Sequence, residues 1–198
     1  MGNSSSHQDT SYSLLSRVRA DDQRAWTQLV ELYLPLVGYW CRRYDLNPDD
    51  AADLQQNVFL SVARGIRNFQ PRPNRDNGSF RPWLWVITRN KINDLLRKRR
   101  LDVSRGGSSM LLTLNQLSDC QLDDEPSDEN ALQGLVNRAL EQIRPNFQPS
   151  TWQAFWLTVM EGQPNDIVSE QLGLRPTSIR QAKTRVLRQL RKQLGDCL

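Results

Sequence analysis

The sequence predicts an all-α protein: two small helical domains joined by a flexible linker, the C-terminal one a helix-turn-helix. Three observations lead there. Apolar residues recur three or four positions apart wherever a pattern exists, and no alternating strand pattern occurs. The helical patterns stop near residue 100 and resume near residue 131, with glycines, serines and acids between them. From Gly162 to Leu194 the chain reads as a short helix, a glycine turn and a longer basic helix.

Taken in order, residues 1–20 form a polar tail expected to be disordered; its start, MGNSSS, matches a myristoylation pattern but no apolar or polybasic anchor follows. Trp26, Leu29, Val30, Tyr33, Val37, Trp40 and Tyr44 make an amphipathic helix starting near Asp22, with Pro35 expected to bend it. Asn47 and Pro48 break the pattern, Asp49 and Asp50 open a second helix, and Leu54, Val58 and Val62 form its apolar stripe. Phe69 to Ser79 is a turn-rich loop. A third helix begins near Phe80 or Arg81, carries Pro82 in its first turn, and runs through Trp83, Leu84, Ile87, Ile92 and Leu95 to the basic cluster Arg97 to Arg100. Residues 101–130 read as the linker. Beyond it Leu132, Leu135, Val136, Leu140 and Ile143 form a stripe, Pro145 and Pro149 interrupt it, and Trp152, Phe155, Trp156 and Val159 lead to Gly162. The domains expected are therefore 21–100 and 131–198.

The charge is segregated. Net charge is only +4, yet the sequence pI is about 9.2 and mean hydropathy is −0.64. Arg89 to Arg105 holds seven basic residues, Leu172 to the end another seven, and Asp119 to Glu129 six acids without a base. Two basic blocks flanking an acidic spacer suggest a polyanionic partner. Cys41, Cys120 and Cys197 have no paired spacing, so neither a disulfide framework nor a zinc site is indicated. His7 is the only histidine and lies in the tail, which removes the usual metal ligand and general base. No stretch approaches the ~18 apolar residues of a membrane span and no signal peptide is legible, so a cytoplasmic protein without metal, cofactor or membrane insertion is expected.

The helix-turn-helix follows from residue types. Pro164 suits a first helical turn, Ile167, Val168 and Leu172 supply the apolar stripe, and Gly173 can take the left-handed conformation that ends the helix. Pro176 bars continuation, and Thr177 or Ser178 can cap the second helix. Ile179, Ala182, Val186, Leu190 and Leu194 then line one face and Arg180, Gln181, Thr184, Arg185, Arg188, Arg191 and Lys192 the other. Such a face fits a DNA major groove; the bland reading is a helical hairpin with a solvated basic face.

DAADLQQNVFL (Asp50 to Leu60), GSFRPWLWVITRNKINDLLRKRR (Gly78 to Arg100) and EGQPNDIVSEQLGLRPTSIRQAKTRVLRQLRKQL (Glu161 to Leu194), in this order, resemble a bacterial sigma factor of the extracytoplasmic-function group. The resemblance implies core RNA polymerase and promoter DNA, duplex and melted, as partners, and allows an anti-sigma protein. Asp53, Gln56, Asn57 and Leu60 would then be exposed contacts to polymerase, with Asn57 standing where the family often has an acid. The loop Pro71 to Ser79 and the following helix would open the promoter near the start site. Unstacking costs on the order of a few kcal/mol per base, so the separated strand must be bound more tightly than the duplex. Asn74, Asp76 and Asn77 could read an extruded base, Arg75, Arg81, Arg89, Lys91 and Arg97 to Arg100 would neutralise phosphates, and Phe80, Trp83 and Trp85 are candidates for stacking or wedging, Trp83 being expected in the core instead because it lies on the side of the buried stripe. In the helix-turn-helix, Arg180, Gln181 and Thr184, with Ser178 at the cap, would reach base edges, while Arg175, Lys183, Arg185 and Arg188 would meet phosphate. Val168 replaces the family's usual alanine at the helix crossing.

These readings predict a non-enzymatic promoter-specificity factor. The alternatives are a stand-alone helix-turn-helix regulator, which has no need of the first two motifs, and a nucleic-acid-processing enzyme, for which no carboxylate or histidine cluster is legible.

Overall fold

The computed structural model describes residues 13–70, 80–104 and 128–194. Among them every regular element is helical. The helices are α1 (Leu14–Arg19), α2 (Gln23–Arg42), α3 (Pro48–Gly65), α4 (Phe80–Ser104), α5 (Glu129–Ile143), α6 (Pro149–Phe155), α7 (Asn165–Leu172) and α8 (Pro176–Leu194). A 3-10 turn, Arg144–Asn146, follows α5, and a π turn, Trp156–Met160, continues α6. The described residues divide into two compact units: Val30 to Leu132, and the residues up to Leu29 together with those from Gln133 onward. No helix of the described residues is long and apolar enough to cross a membrane.

The unit that starts at Val30 is built on aromatic packing. Tyr33, Leu36, Val37 and Trp40 of α2, Leu54, Val58 and Val62 of α3, and Phe80, Leu84 and Ile92 of α4 are buried. Phe80 meets Tyr33 edge-on at 5.0 Å and Phe69 at 5.9 Å, and Trp85 meets Trp40 at 5.3 Å; such edge contacts contribute beyond the area they bury. Pro35 sits inside α2 on its exposed side, and the helix continues to Arg42. Asn47 caps α3 by accepting from the Asp50 amide at 2.8 Å, its own amide donates to Asp50 Oδ2 at 2.9 Å, and Pro48 takes the first helical position. Arg99 of α4 is paired with Asp50, so one carboxylate serves both the α3 N-terminus and the α3–α4 contact. Burial pushes the Cys41 thiol up to about 11, which leaves it protonated at neutral pH and unreactive as a nucleophile.

The other unit corrects the expected N-terminal tail. Ser13 caps α1 by accepting from the Ser16 amide at 3.2 Å, and Leu14, Leu15 and Val18 are buried. Residues 14–19 are thus part of a core, and together with the start of α2 they group with the C-terminal helices instead of with α3 and α4. A polar chain helps to hold them: Gln193 Nε2 of α8 donates to Gln142 Oε1 of α5 at 2.7 Å, and Gln142 Nε2 donates to the Gln28 carbonyl of α2 at 2.9 Å. Gln193 is almost fully buried, so this pairing satisfies an amide that water cannot reach.

Asp22 is the α2 cap. Its Oδ1 accepts from the amides of Arg24 and Ala25 at 2.9 and 3.1 Å, and its Oδ2 accepts from Nη2 and Nε of Arg17 at 2.7 and 2.9 Å. The Arg17 hydrogen bonds, then those from the backbone, hold the carboxyl below its ordinary 3.8. A depressed carboxyl stabilises the fold above its unfolded pKa, and that contribution is lost as pH falls through the lower folded value. Asp22→Ala is expected to cost ~0.5–2 kcal/mol in urea unfolding at pH 7. The gap between parent and variant should close once the pH is well below 3.8; a gap that persisted there would mean that the carboxylate charge is not what holds the turn.

Candidate nucleic-acid and partner interfaces

The helix-turn-helix is set by its turn. Gly173 has φ 62°, and the amides of Gly173 and Leu174 close on the carbonyls of Glu170 and Ser169 at 3.3 and 3.0 Å, ending α7. The Ser169 hydroxyl also donates to the Leu174 carbonyl. Val168, Ile179 and Ala182 pack with Ala154 and Leu157 as one core, so the valine at the helix crossing is fully accommodated. Ile167, expected on the apolar stripe, is 50% exposed: a two-turn helix buries a single row, and Val168 holds it. Neither Thr177 nor Ser178 caps α8, because the helix begins one residue earlier, at Pro176, and the amides of Ser178 and Ile179 bond to the Arg175 carbonyl at 2.8 and 3.2 Å.

With Ile179, Ala182, Val186 and Leu194 turned inward, the opposite face of α8 is fixed. Arg175, Arg180, Gln181, Lys183, Thr184, Arg185 and Arg188 are all exposed, and Ser178 is half-buried. No acid occurs in α8. The Thr184 hydroxyl donates to the Arg180 carbonyl at 3.0 Å, which leaves its oxygen as an acceptor toward solvent while Arg180 and Gln181 supply the donors.

On α3, Asp53, Gln56, Asn57 and Leu60 are all exposed, Leu60 by 49%. Asn57 Nδ2 donates to the Asp53 carbonyl at 2.9 Å. Gln56 and Leu60 stand one turn apart, an amide beside an apolar side chain, on the side opposite buried Leu54, Val58 and Val62. Asp53 and Asn57 also line a cleft of about 420 Å³ with Lys91, Asp94 and Lys98 of α4. Lys91, expected to meet DNA phosphate, thus shares a cleft with two of the expected polymerase contacts, because its position on α4 faces α3.

The set expected at the melted strand is changed most. Asn74, Arg75, Asp76 and Asn77 lie outside the described residues. Phe80 is no stacking residue: it is fully buried between Tyr33 and Phe69. Trp85 is buried as well, against Trp40 and Tyr44. Trp83 keeps partial exposure while packing on Phe69 at 4.9 Å. It lies over Gly65, where a Cβ would come within 3.0 Å of its ring. That packing role of Gly65 was not legible in the sequence, where a helix-end glycine signals only a cap. Arg81 and Arg89 are half-buried on α4. Among the described residues no group of histidines, cysteines and carboxylates could hold a metal ion.

The Sigma-70 region 2 family model matches residues 29–101, which spans α3, α4 and most of α2. The ECF RNA polymerase sigma factor SigE of Mycolicibacterium smegmatis is 28% identical over 176 residues, covering 86% of this chain and 62% of that longer protein. The RNA polymerase sigma factor CarQ of Myxococcus xanthus is 28% identical over 183 residues, covering 92% of this chain and 96% of the relative. A solved structure of CnrH in complex with the cytosolic domain of CnrY aligns with 93% of this chain and 97% of that one, at 20% identity and a TM-score of 0.36. Residues 29–101 thus match Sigma-70 region 2, and along most of its length the chain is similar to RNA polymerase sigma factors, those of the extracytoplasmic-function group among them.

Proposed function

We propose that this protein directs core RNA polymerase to specific promoters and assists DNA melting at transcription initiation, with no catalytic activity or cofactor of its own. The observation that carries the reading is the presence in one chain of a region 2 match over 29–101 and an exposed, acid-free helix-turn-helix face on α8. A stand-alone regulator needs only the second. In this reading Asp53, Gln56, Asn57 and Leu60 contact polymerase, Arg81 and Arg89 neutralise phosphates near the start site, and Arg180, Gln181 and Thr184 read the upstream element as duplex. Asn74, Arg75 and Asn77 remain the proposed contacts to the melted strand. Residues 101–130 would link the two activities.

The direct test is transcription in vitro with purified core polymerase and genomic fragments, in which the protein should give initiation at discrete sites. Gln56→Ala combined with Leu60→Ala removes an exposed amide and an exposed apolar side chain while sparing the buried stripe, so helix content should be unchanged and association with core should weaken by at least tenfold, ~1.4 kcal/mol. Full co-purification of the double variant would remove α3 from the polymerase interface.

A further inference from the structure

The cleft between α3 and α4, about 420 Å³ in volume, receives a stripe of the same spacing from each helix. Asp50, Asp53, Leu54 and Asn57 of α3 fall at i, i+3, i+4 and i+7, and Lys91, Asp94, Leu95 and Lys98 of α4 repeat that spacing. Leu54 is buried and Leu95 half-buried, so the floor is apolar and the walls are charged. Asp50 is paired with Arg99. Among the described residues the other four charges, Asp53, Asp94, Lys91 and Lys98, form no ion pair, although both signs line one cleft.

These charges select between nucleic acid and protein as the occupant. Two lysines against three carboxylates leave no positive surplus, so a phosphate backbone gains little there and is repelled by Asp53 and Asp94. Arg89, two residues before Lys91 and so roughly 200° round the helix from it, stands on another side of α4 and keeps the phosphate role. A protein segment carrying both signs a few positions apart matches the cleft, its acids toward Lys91 and Lys98 and its bases toward Asp53 and Asp94. Asp53 and Asn57 belong both to the cleft and to the exposed row that Gln56 and Leu60 continue, so the two surfaces are one. We infer that an alternating-charge segment of core RNA polymerase lies over α3 and α4 together, with Lys91, Asp94 and Lys98 setting its register. This inference rests on the sigma-factor reading of α3 and adds α4 to that contact. Lys91 and Lys98, basic residues whose sequence context points to phosphate, are thereby specificity determinants for polymerase.

Titration of the labelled full-length protein with purified core polymerase, at low and high salt, tests the contact. Lys91→Glu with Lys98→Glu should weaken association about tenfold at low salt and less at high salt, where exposed charges are screened. The neutral pair Lys91→Gln with Lys98→Gln should show the same loss to a smaller degree, and serves if the reversed protein is poorly folded. Lys91→Glu with Asp94→Lys keeps the net charge and exchanges only the pattern; it should also bind core weakly, and parent-like binding by this variant would overturn the register. Holoenzyme formed at saturating Lys91→Gln, Lys98→Gln protein should hold a single-stranded promoter oligonucleotide as tightly as the parent. Weaker oligonucleotide binding with core association intact would overturn the inference and return both lysines to phosphate. Full association of the lysine variants, beside a loss in the Gln56→Ala, Leu60→Ala protein, would remove α4 from the interface and leave the α3 contact standing. Full association of all of them would overturn the reading of α3 itself, and the cleft with it.

Discussion

Phe80→Ala should lower the unfolding free energy by about 3–5 kcal/mol, a large share of the 5–15 kcal/mol typical of a whole domain. The ring is fully buried and meets Tyr33, Phe69 and Trp83 at centroid distances of 5.0, 5.9 and 5.6 Å, so its removal leaves a cavity that three aromatic neighbours cannot close without leaving their own contacts. Urea unfolding of parent and variant measures the loss. Trp83→Ala, at the partly exposed edge of the same cluster, should cost less and should show its effect on promoter opening. A stable Phe80→Ala protein that failed only in opening would return Phe80 to the DNA.

Arg180→Ala is the second large effect. Arg180 is exposed in the first turns of α8, with Gln181 beside it and Thr184 one turn further on, while Ile179 and Ala182 fix the helix rotation from the buried side. A guanidinium there can make a bidentate contact to one base pair, and its loss should cost ~1–3 kcal/mol at the upstream element and relax base preference at that position. Arg188, two turns further along the same helix, should behave differently: Arg188→Ala should weaken all sequences about equally and reduce the salt slope by about 1. Fluorescence anisotropy of holoenzyme on promoter variants at two salt concentrations separates the two. Equal loss of preference in both variants would mean that the helix enters the groove at another angle.

The parts of this fold legible in the sequence are those where chemistry leaves one choice. On α8, arginines and lysines alternate with isoleucine, alanine and valine, so inside and outside follow from composition, and the exposed row on α3 follows from the same contrast. On α4 the contrast fails. Trp83, Leu84, Trp85, Val86, Ile87 and Thr88 are consecutive and mostly apolar, so period alone cannot set the rotation. Of the expected stripe, Leu84 and Ile92 are fully buried but Trp83, Ile87 and Leu95 only half-buried, while Phe80, Trp85, Thr88 and Leu96 complete the core and the Thr88 hydroxyl bonds to the Leu84 carbonyl at 2.8 Å. Helix α1 escaped for another reason. Its six residues are too few to show a period, and it packs on α8, more than a hundred positions away in sequence.

That last arrangement has a kinetic side. The bond from Gln142 to the Gln28 carbonyl spans 114 positions. Closing a loop of that length costs about 4 kcal/mol of chain entropy, and contacts so distant in sequence slow folding. During synthesis Leu14, Leu15 and Val18 are made more than a hundred positions before α8, on which their helix packs, and Gln28 likewise precedes Gln142 and Gln193. The helices between Val30 and Ser104 have their core available long before then. The unit that holds α8 is therefore completed later than the one built on α3 and α4, and loss of a few residues before Asp22 would be felt in α8 before it was felt in α3, which is nearer in sequence.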